Sequence, residues 1–169
     1  IPAPVRITIF SMGYPCRKSG AMTSRVLFVC LGNICRSPAA EGVFRKMAPN
    51  VQTDSCGTAR WHVGKPPYGP MQAAAGAQGY DISDFRARIM ERHDFEAFDL
   101  IIAMDAQNVS DLEAMRPSGN TTPVRVFTEF APHAGMDHVP DPYYTRDFSG
   151  ALRLIEEAAR GLKRHLEQR

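Results

Sequence analysis

The sequence predicts an α/β fold: a single domain with a four-stranded, parallel, doubly wound sheet and helices on both faces. Three observations point there. From residue 25 onward, short apolar runs of strand length alternate with longer stretches of helical periodicity. The runs Val26–Val29 and Leu100–Met104 have no in–out alternation, which is the pattern of strands buried on both faces. Helices separate successive strands, and such crossovers make neighbouring strands parallel and the connections right-handed.

The elements follow in order. The first strand is read over Arg25–Leu31 and ends in a tight turn. Ser37-Pro38 then opens a helix over Pro38–Ala48, with Ser as N-cap and Pro at the first helical position. A second strand lies near Val51–Ala59, followed by the turn-rich stretch RWHVGKPPYG at 60–69. A helix is expected near Pro70–Gly79 and a short one near Ile89–Asp94. Leu100–Met104 is the third strand, Ala106–Met115 a helix, and Val124–Phe127 the fourth strand. Phe148–Gln168 reads as a long amphipathic helix, with Leu152, Ile155, Ala159, Leu162 and Leu166 spaced for one face.

Composition bounds the function classes. The chain has 169 residues, 44% hydrophobic and 22% charged, which suits one soluble domain with a real core. No apolar run approaches the roughly 18–20 residues needed to cross a bilayer. The net charge of +2 comes from Arg6, Arg17 and Lys18, the only charged residues among positions 1–24. The remainder is close to neutral, so nothing suggests a nucleic-acid surface. Residues 1–24, with Pro2, Pro4, Gly13, Pro15 and Gly20, show no helical period and are expected to be a poorly packed extension of added or upstream origin, before a start near Met22. The four cysteines, at 16, 30, 35 and 56, could pair in a secreted protein. But Ile1–Phe10 lacks the charged and apolar regions of a signal peptide, and a chain this long needs no staples. Reactive thiols in a reducing cytoplasm are the better reading.

The most informative segment is RVLFVCLGNICRSP at 25–38. A buried strand ends on Cys30, a turn holds Gly32 and Asn33, and Arg36 precedes the helix start. Turn N–H groups running into a helix N-terminus converge on one spot and favour negative charge there. Arg36 can present two parallel donors to two phosphate oxygens. The same positive surroundings favour a Cys30 thiolate. The residues therefore point to a cradle for a tetrahedral dianion with a nucleophile beneath it. A nucleoside-triphosphate loop, G-x-x-x-x-G-K-[ST], is absent.

VCLGNICRSPAAEGVFRK resembles the phosphate-binding loop of the low-molecular-weight protein tyrosine phosphatases. TDSCGT at 53–58, GKPPYG at 64–69, RARIMERHDFEAFDLIIAMD at 86–105 and DPYY at 141–144 fall in that family's order and spacing, so the likeness covers residues 25–168. It implies a cofactor-free phosphatase working through a phosphocysteine, with phosphotyrosine proteins as substrates and inorganic phosphate as product and inhibitor. No metal, nucleic acid or membrane is implied. Cys30 would be the nucleophile and Arg36 the clamp on the equatorial oxygens. Leu31, Gly32, Ile34 and Cys35 would complete the loop around the anion, and Asn33 would hold its shape in a left-handed conformation. Ser37 either caps the helix, bonds the Cys30 sulfur, or does both.

Asp141 would be the general acid for the leaving group and then the base for water, aimed by Pro142. VPDPYY alone would read only as a turn. Trp61, Tyr143 and Tyr144 match positions that line the family's cleft, although loop aromatics also serve as covers for a core edge. Ser55 matches a serine that bonds the loop asparagine. One departure stands out. Where the family pattern H-x-A-R has His, this chain has Phe85, so Asn33 is expected to lose a partner and the loop to be less rigid. Histidines 62, 93, 133, 138 and 165 have no metal-ligand spacing and read as surface residues. Two other activities are implied by the same fold. Phosphoarginine hydrolysis goes with a Thr where this chain has Ile34, and arsenate reduction needs cysteines that the chain lacks after Cys56. Cys35, in the same turn as Cys30, is expected to form a disulfide with it under peroxide.

Overall fold

A computed structural model describes residues 24–169, so the expected extension and Cys16 lie outside the described residues except for Ser24, whose carbonyl accepts the Gln52 N–H. Four strands, β1 (Arg25–Cys30), β2 (Gln52–Gly57), β3 (Leu100–Ala103) and β4 (Val124–Val126), form one sheet in the order β2-β1-β3-β4. All three pairings are parallel, and Cys30 lies opposite Gly57 in the register. The helices are α1 (Arg36–Met47), α2 (Gly69–Ala77), α3 (Asp94–Ala97), α4 (Ala106–Met115), α5 (Pro142–Thr145) and α6 (Phe148–Glu167). No helix among the described residues is long and apolar enough to cross a membrane.

The uninterrupted apolar runs have the predicted physical cause. Val26, Leu27, Phe28 and Val29 of β1 and Ile101, Ile102 and Ala103 of β3 are wholly buried. Side chains alternate across the sheet, so Val26 and Phe28 pack among residues of α1, α2 and α6. Leu27 and Val29 face the opposite layer with Phe95 and Leu112, from α3 and α4. Phe28 meets Phe44 at 5.7 Å and Phe127 at 5.3 Å between ring centroids, tying the central strand to α1 and to the 3-10 turn at 127–130. Each fully buried side chain of this size contributes roughly 1.5–3 kcal/mol relative to exposure.

The sheet order matters for function. The chain moves from β1 to β2 on one side, then returns past β1 to place β3 on the other. Adjacent strands β1 and β3 therefore send their following helices to opposite faces, and a crevice opens beyond their carboxyl ends. Cys30 and Asp105 stand at those two ends.

Two elements differ from expectation. Residues 89–93 are not helical: Ile89 makes a bridge with Gly57, with Gly57 N–H donating to the Arg88 carbonyl and Met90 N–H to the Gly57 carbonyl. The short helix begins only at Asp94, after the free edge of β2 has been used. The residues after Asp141 form a helical turn, α5, with Asp141 as its N-cap, where periodicity over four residues gives no signal.

α6 packs its 151, 152, 155, 158, 159 and 162 side against the sheet layer, and Asp147 caps it by accepting the Gly150 N–H. Gly161 lies where a Cβ would overlap the Phe130 carbonyl. Gly161→Ala is expected to destabilise the fold by about 1–3 kcal/mol, the usual cost of overpacking. A lowered urea midpoint with an unchanged m-value is the check.

Candidate active site

The turn after β1 curls tightly, and its shape rests on Asn33. That residue has φ 55°, a left-handed conformation that Asn tolerates better than most side chains. Its backbone N–H donates to Cys30 Sγ at 3.2 Å. Its Nδ2 donates to Ser37 Oγ at 2.7 Å and to Ser55 Oγ at 3.0 Å, and its Oδ1 accepts the Arg88 N–H at 3.0 Å. Every hydrogen-bonding atom of the amide is engaged, so replacing the family His by Phe85 leaves Asn33 fully partnered. Phe85 instead packs against the core edge under the Arg45 guanidinium, 5.1 Å from its ring centroid. β2 can approach the turn this closely only because of Gly57, where a Cβ would come within 2.8 Å of the Leu31 carbonyl oxygen.

Ser37 does not cap α1. The N-cap position is Cys35, which offers no side-chain hydrogen bond, and Ser37 lies inside the first turn. Its hydroxyl is drawn inward to Cys30 Sγ at 3.0 Å. The first N–H groups of α1 are thus left to an anion rather than satisfied by a capping side chain. Cys30 Sγ thus has both the Ser37 hydroxyl and the Asn33 N–H within hydrogen-bond distance. Cys35 differs: burial, with Cys30 and Asp141 nearby, pushes its thiol up to about 12, so it stays protonated.

Arg36 is 3% exposed and its guanidinium is held from several sides. Nη1 donates to Asp105 Oδ2 at 2.7 Å and to the Val139 carbonyl at 3.0 Å, and Nη2 to Asp141 Oδ2 at 3.3 Å. Burial alone would weaken its proton affinity; Cys30, Asp105 and Asp141 outweigh burial and keep it firmly cationic. Asp105 caps α4 by accepting the Asn108 N–H at 2.8 Å, so the carboxylate that orients Arg36 is itself fixed. The Asp141 loop is anchored to the same place, because Val139 N–H donates to the Met104 carbonyl at 2.8 Å. Asp141 also caps α5 through the Tyr143 N–H at 3.0 Å.

These groups surround a cleft of about 270 Å³ lined by Cys30, Leu31, Gly32, Ile34, Cys35, Arg36, Trp61, His62, Asp141, Tyr143 and Tyr144. Trp61, Tyr143 and Tyr144 are exposed at its mouth, and Tyr143 stacks at a tilt on Tyr68, 5.2 Å between centroids. Asn33, Ser37 and Ser55 lie beneath the loop and do not line the cleft; they support it from behind. His62 is no mere surface residue: it lines the cleft, 6.4 Å from the Tyr143 ring. His165 is also half-buried, packed 5.3 Å from Phe130 with an unpartnered Nε2, and burial lowers its pKa. His93, His133 and His138 are exposed. The sequence reading also missed Asp105, Glu41 and Arg88. Asp105 carried a usable signal, a carboxylate at the carboxyl end of a buried strand; the other two carried none.

A nucleophilic sulfur at the base of an anion cradle, a buried guanidinium and a carboxyl across the cleft can together transfer a phosphoryl group. Similarities to known proteins agree with this geometry. Residues 25–169 match the family model described as low molecular weight phosphotyrosine protein phosphatase. The low molecular weight protein-tyrosine-phosphatase YfkJ of Bacillus subtilis is 39% identical over 137 residues, spanning 78% of this chain and 88% of that protein. The YfkJ crystal structure superposes with a TM-score of 0.83 at 36% identity, covering 89% of this chain and 98% of that one. A protein tyrosine phosphatase from Entamoeba histolytica, with Hepes in its active site, gives 0.81 at 35% identity over 86% of this chain and 97% of that one. A Drosophila arginine phosphatase gives 0.78 at 30% identity over 83% and 96%. With a family match over residues 25–169 and relatives of 34–40% identity, the chain belongs to the low molecular weight phosphotyrosine protein phosphatase family.

Proposed function

We propose that this chain hydrolyses phosphotyrosine in protein substrates through a phosphocysteine on Cys30. The observation that carries the reading is the shared cleft, lined by Cys30, Arg36 and Asp141 together, with Asp141 bonded to Arg36. The phosphate dianion sits on the N–H groups of the turn, and Arg36, anchored by Asp105 through Nη1, gives the equatorial oxygens its Nε–H and the Nη2 hydrogen that Asp141 does not take. The Cys30 thiolate attacks phosphorus in line as the P–O bond to the phenol breaks, and Asp141 gives its proton to the departing oxygen. Water then attacks the phosphocysteine, Asp141 takes up a proton, the S–P bond breaks and inorganic phosphate leaves. Phosphate, fitting the same cradle, inhibits as product. Ser37 stabilises the thiolate both as nucleophile and as leaving group.

Trp61, Tyr143 and Tyr144 give the cleft tall aromatic walls, which suit an aryl phosphate. Ile34 adds an apolar contact, and a phosphoarginine guanidinium would meet no polar partner there. We place the reaction in the cytoplasm, where thiols persist reduced, and assign no role for nucleic acid or membrane.

Four outcomes test this reading. Phosphotyrosine peptides should be turned over faster than phosphoserine or phosphoarginine peptides compared side by side, and Cys30→Ser should abolish turnover while still binding phosphate. Turnover above a few per cent of wild type in Cys30→Ser would remove the covalent mechanism.

Asp141→Asn should slow aryl phosphates with poor leaving groups by roughly 10²–10⁴-fold and activated ones much less, since a good leaving group needs little protonation. Pre-steady-state rates of phenol release across a leaving-group series decide it; equal losses would take Asp141 out of the acid role.

Peroxide should oxidise the Cys30 thiolate to a sulfenic acid. The Cys35 thiol then displaces water to form a disulfide that reductants reverse. Cys35→Ser, measured against its own untreated turnover, should recover poorly after peroxide and dithiothreitol. Equal recovery of both proteins, or no 30–35 crosslink by mass spectrometry, would exclude the protective role.

A further inference from the structure

Glu41 is a buried carboxyl group that the reaction scheme above does not use. It lies on α1 one turn after Ser37 and is 4% exposed. Its Oε2 accepts the Ser55 hydroxyl at 2.6 Å, and its Oε1 accepts the Arg45 guanidinium. A hydroxyl has one proton. Because Ser55 spends it on Glu41, its oxygen is left to accept from Asn33 Nδ2 at 3.0 Å. The second Nδ2 hydrogen goes to Ser37 Oγ at 2.7 Å. Ser37 is thereby an acceptor toward Asn33 and keeps its own proton to give. Cys30 Sγ at 3.0 Å is its near partner, and the Cys56 carbonyl at 3.4 Å the weaker alternative. The carboxylate fixes Ser55 as a donor to itself and an acceptor from Asn33, and the Asn33 Nδ2 group, which can only donate, leaves Ser37 its own proton for the sulfur.

We propose that Glu41 is a positioning residue for phosphoryl transfer: its ionised carboxylate takes the Ser55 proton, so that Ser55 accepts from the Asn33 amide and holds it where it donates to Ser37, which in turn donates to the Cys30 sulfur. The inference rests on the phosphocysteine reading. A neutral Glu41 cannot hold the same arrangement. An ionised carboxylate accepts at both oxygens, whereas a protonated one must put its hydrogen on one of them. On Oε1 that hydrogen faces the Arg45 guanidinium. On Oε2 it faces the Ser55 hydroxyl, whose own hydrogen must then turn toward the Asn33 amide hydrogens or find no acceptor.

The surroundings place this change in the working range. Burial pushes the Glu41 pKa up to about 7; the Ser55 hydrogen bond and Arg45 pull it down, Asp54 raises it, and Arg88 lowers it. Those groups come from each charged neighbour packed there: Arg45 on its own helix, Asp54 and Ser55 on β2, and Arg88 on the strand-like segment beside β2. At Phe85, where the family pattern has His, no imidazole adds a charge. The sign of the linkage is then fixed. An acid whose folded pKa lies above its unfolded value of 4.5 makes the fold less stable as pH rises from about 4.5 to about 7. Ionised Glu41 thus costs stability at the pH where the relay needs it.

Glu41→Gln separates the two effects. At pH 7.5 it should lower kcat for an aryl phosphate by roughly tenfold or more, with KM within about twofold, since a hydrogen bond to a charged group is lost at the sulfur. Cys30 alkylation by iodoacetamide should slow in parallel. The stability of Glu41→Gln relative to wild type should shift in favour of the variant between pH 5 and pH 8. Ser55→Ala, which interrupts the relay while leaving Glu41 in place, should give a similar loss of kcat, and adding Glu41→Gln to it should cost little more. Fully additive losses, a kcat within twofold of wild type with an unaltered pH profile, or a stability difference independent of pH would each overturn the proposal. Turnover in Cys30→Ser would instead overturn the parent mechanism and leave the relay without a reaction to serve.

Discussion

A guanidinium buried as deeply as Arg36 must be paired on every side, because an isolated ion in the interior costs several kcal/mol and a broken buried pair about 3–5 kcal/mol. That requirement organises the catalytic edge of the molecule. Asp105 answers it from the end of β3, the Val139 carbonyl from the loop after β4, and Asp141 from the start of α5. Three segments far apart in sequence are held to the first residue of α1 by one side chain. The Asp141 carboxyl is therefore placed at the cleft by the same guanidinium that lines it, so removing either group disturbs the placement of the other.

The second constraint is the curl of the turn. A non-glycine residue in the left-handed region stores strain of order 1–3 kcal/mol, which surrounding contacts must offset. Asn33 meets it with bonds from its amide to α1, β2 and the Arg88 backbone. Gly57 gives β2 room to lie against the turn. Arg88 is in turn gripped by Asp54 at 2.9 Å and Asp94 at 3.0 Å, so the partner of Asn33 is itself rigid. Preorganisation of this kind lets the cradle meet developing charge without rearranging. It also explains why a Phe at position 85 is tolerated: the amide already has a full set of partners without an imidazole.

Much of this was legible beforehand. The buried runs at 26–29 and 100–104, the helical periods and the α6 face follow from periodicity, which reports local burial directly. The cradle was legible because Cys30, Asn33, Arg36 and Ser37 are close in the chain, so their spacing alone imposes proximity. The residue at 89 misled, because its apolar neighbours fit a helical turn as well as a bridge to β2. Ser37 was half legible: the expected contact with the Cys30 sulfur is present, whereas Ser before Pro is an ordinary helix start and nothing local shows that it does not cap.

The sequence by itself determined the alternation of strands and helices, and the closeness of Cys30, Asn33, Arg36 and Ser37 around one sharp turn. Only the tertiary structure decided which distant groups complete them. Asp105 reaches Arg36 across 69 positions, and Asp141 across 105. Ser55 reaches Glu41 across 14, and Arg88 reaches Asn33 across 55. Those meetings depend on the strand order β2-β1-β3-β4, which puts β1 between its neighbours and opens the crevice at its end. Periodicity encodes which face of an element is buried, but not which element covers it; side-chain partners across the sheet are set only when the whole core closes.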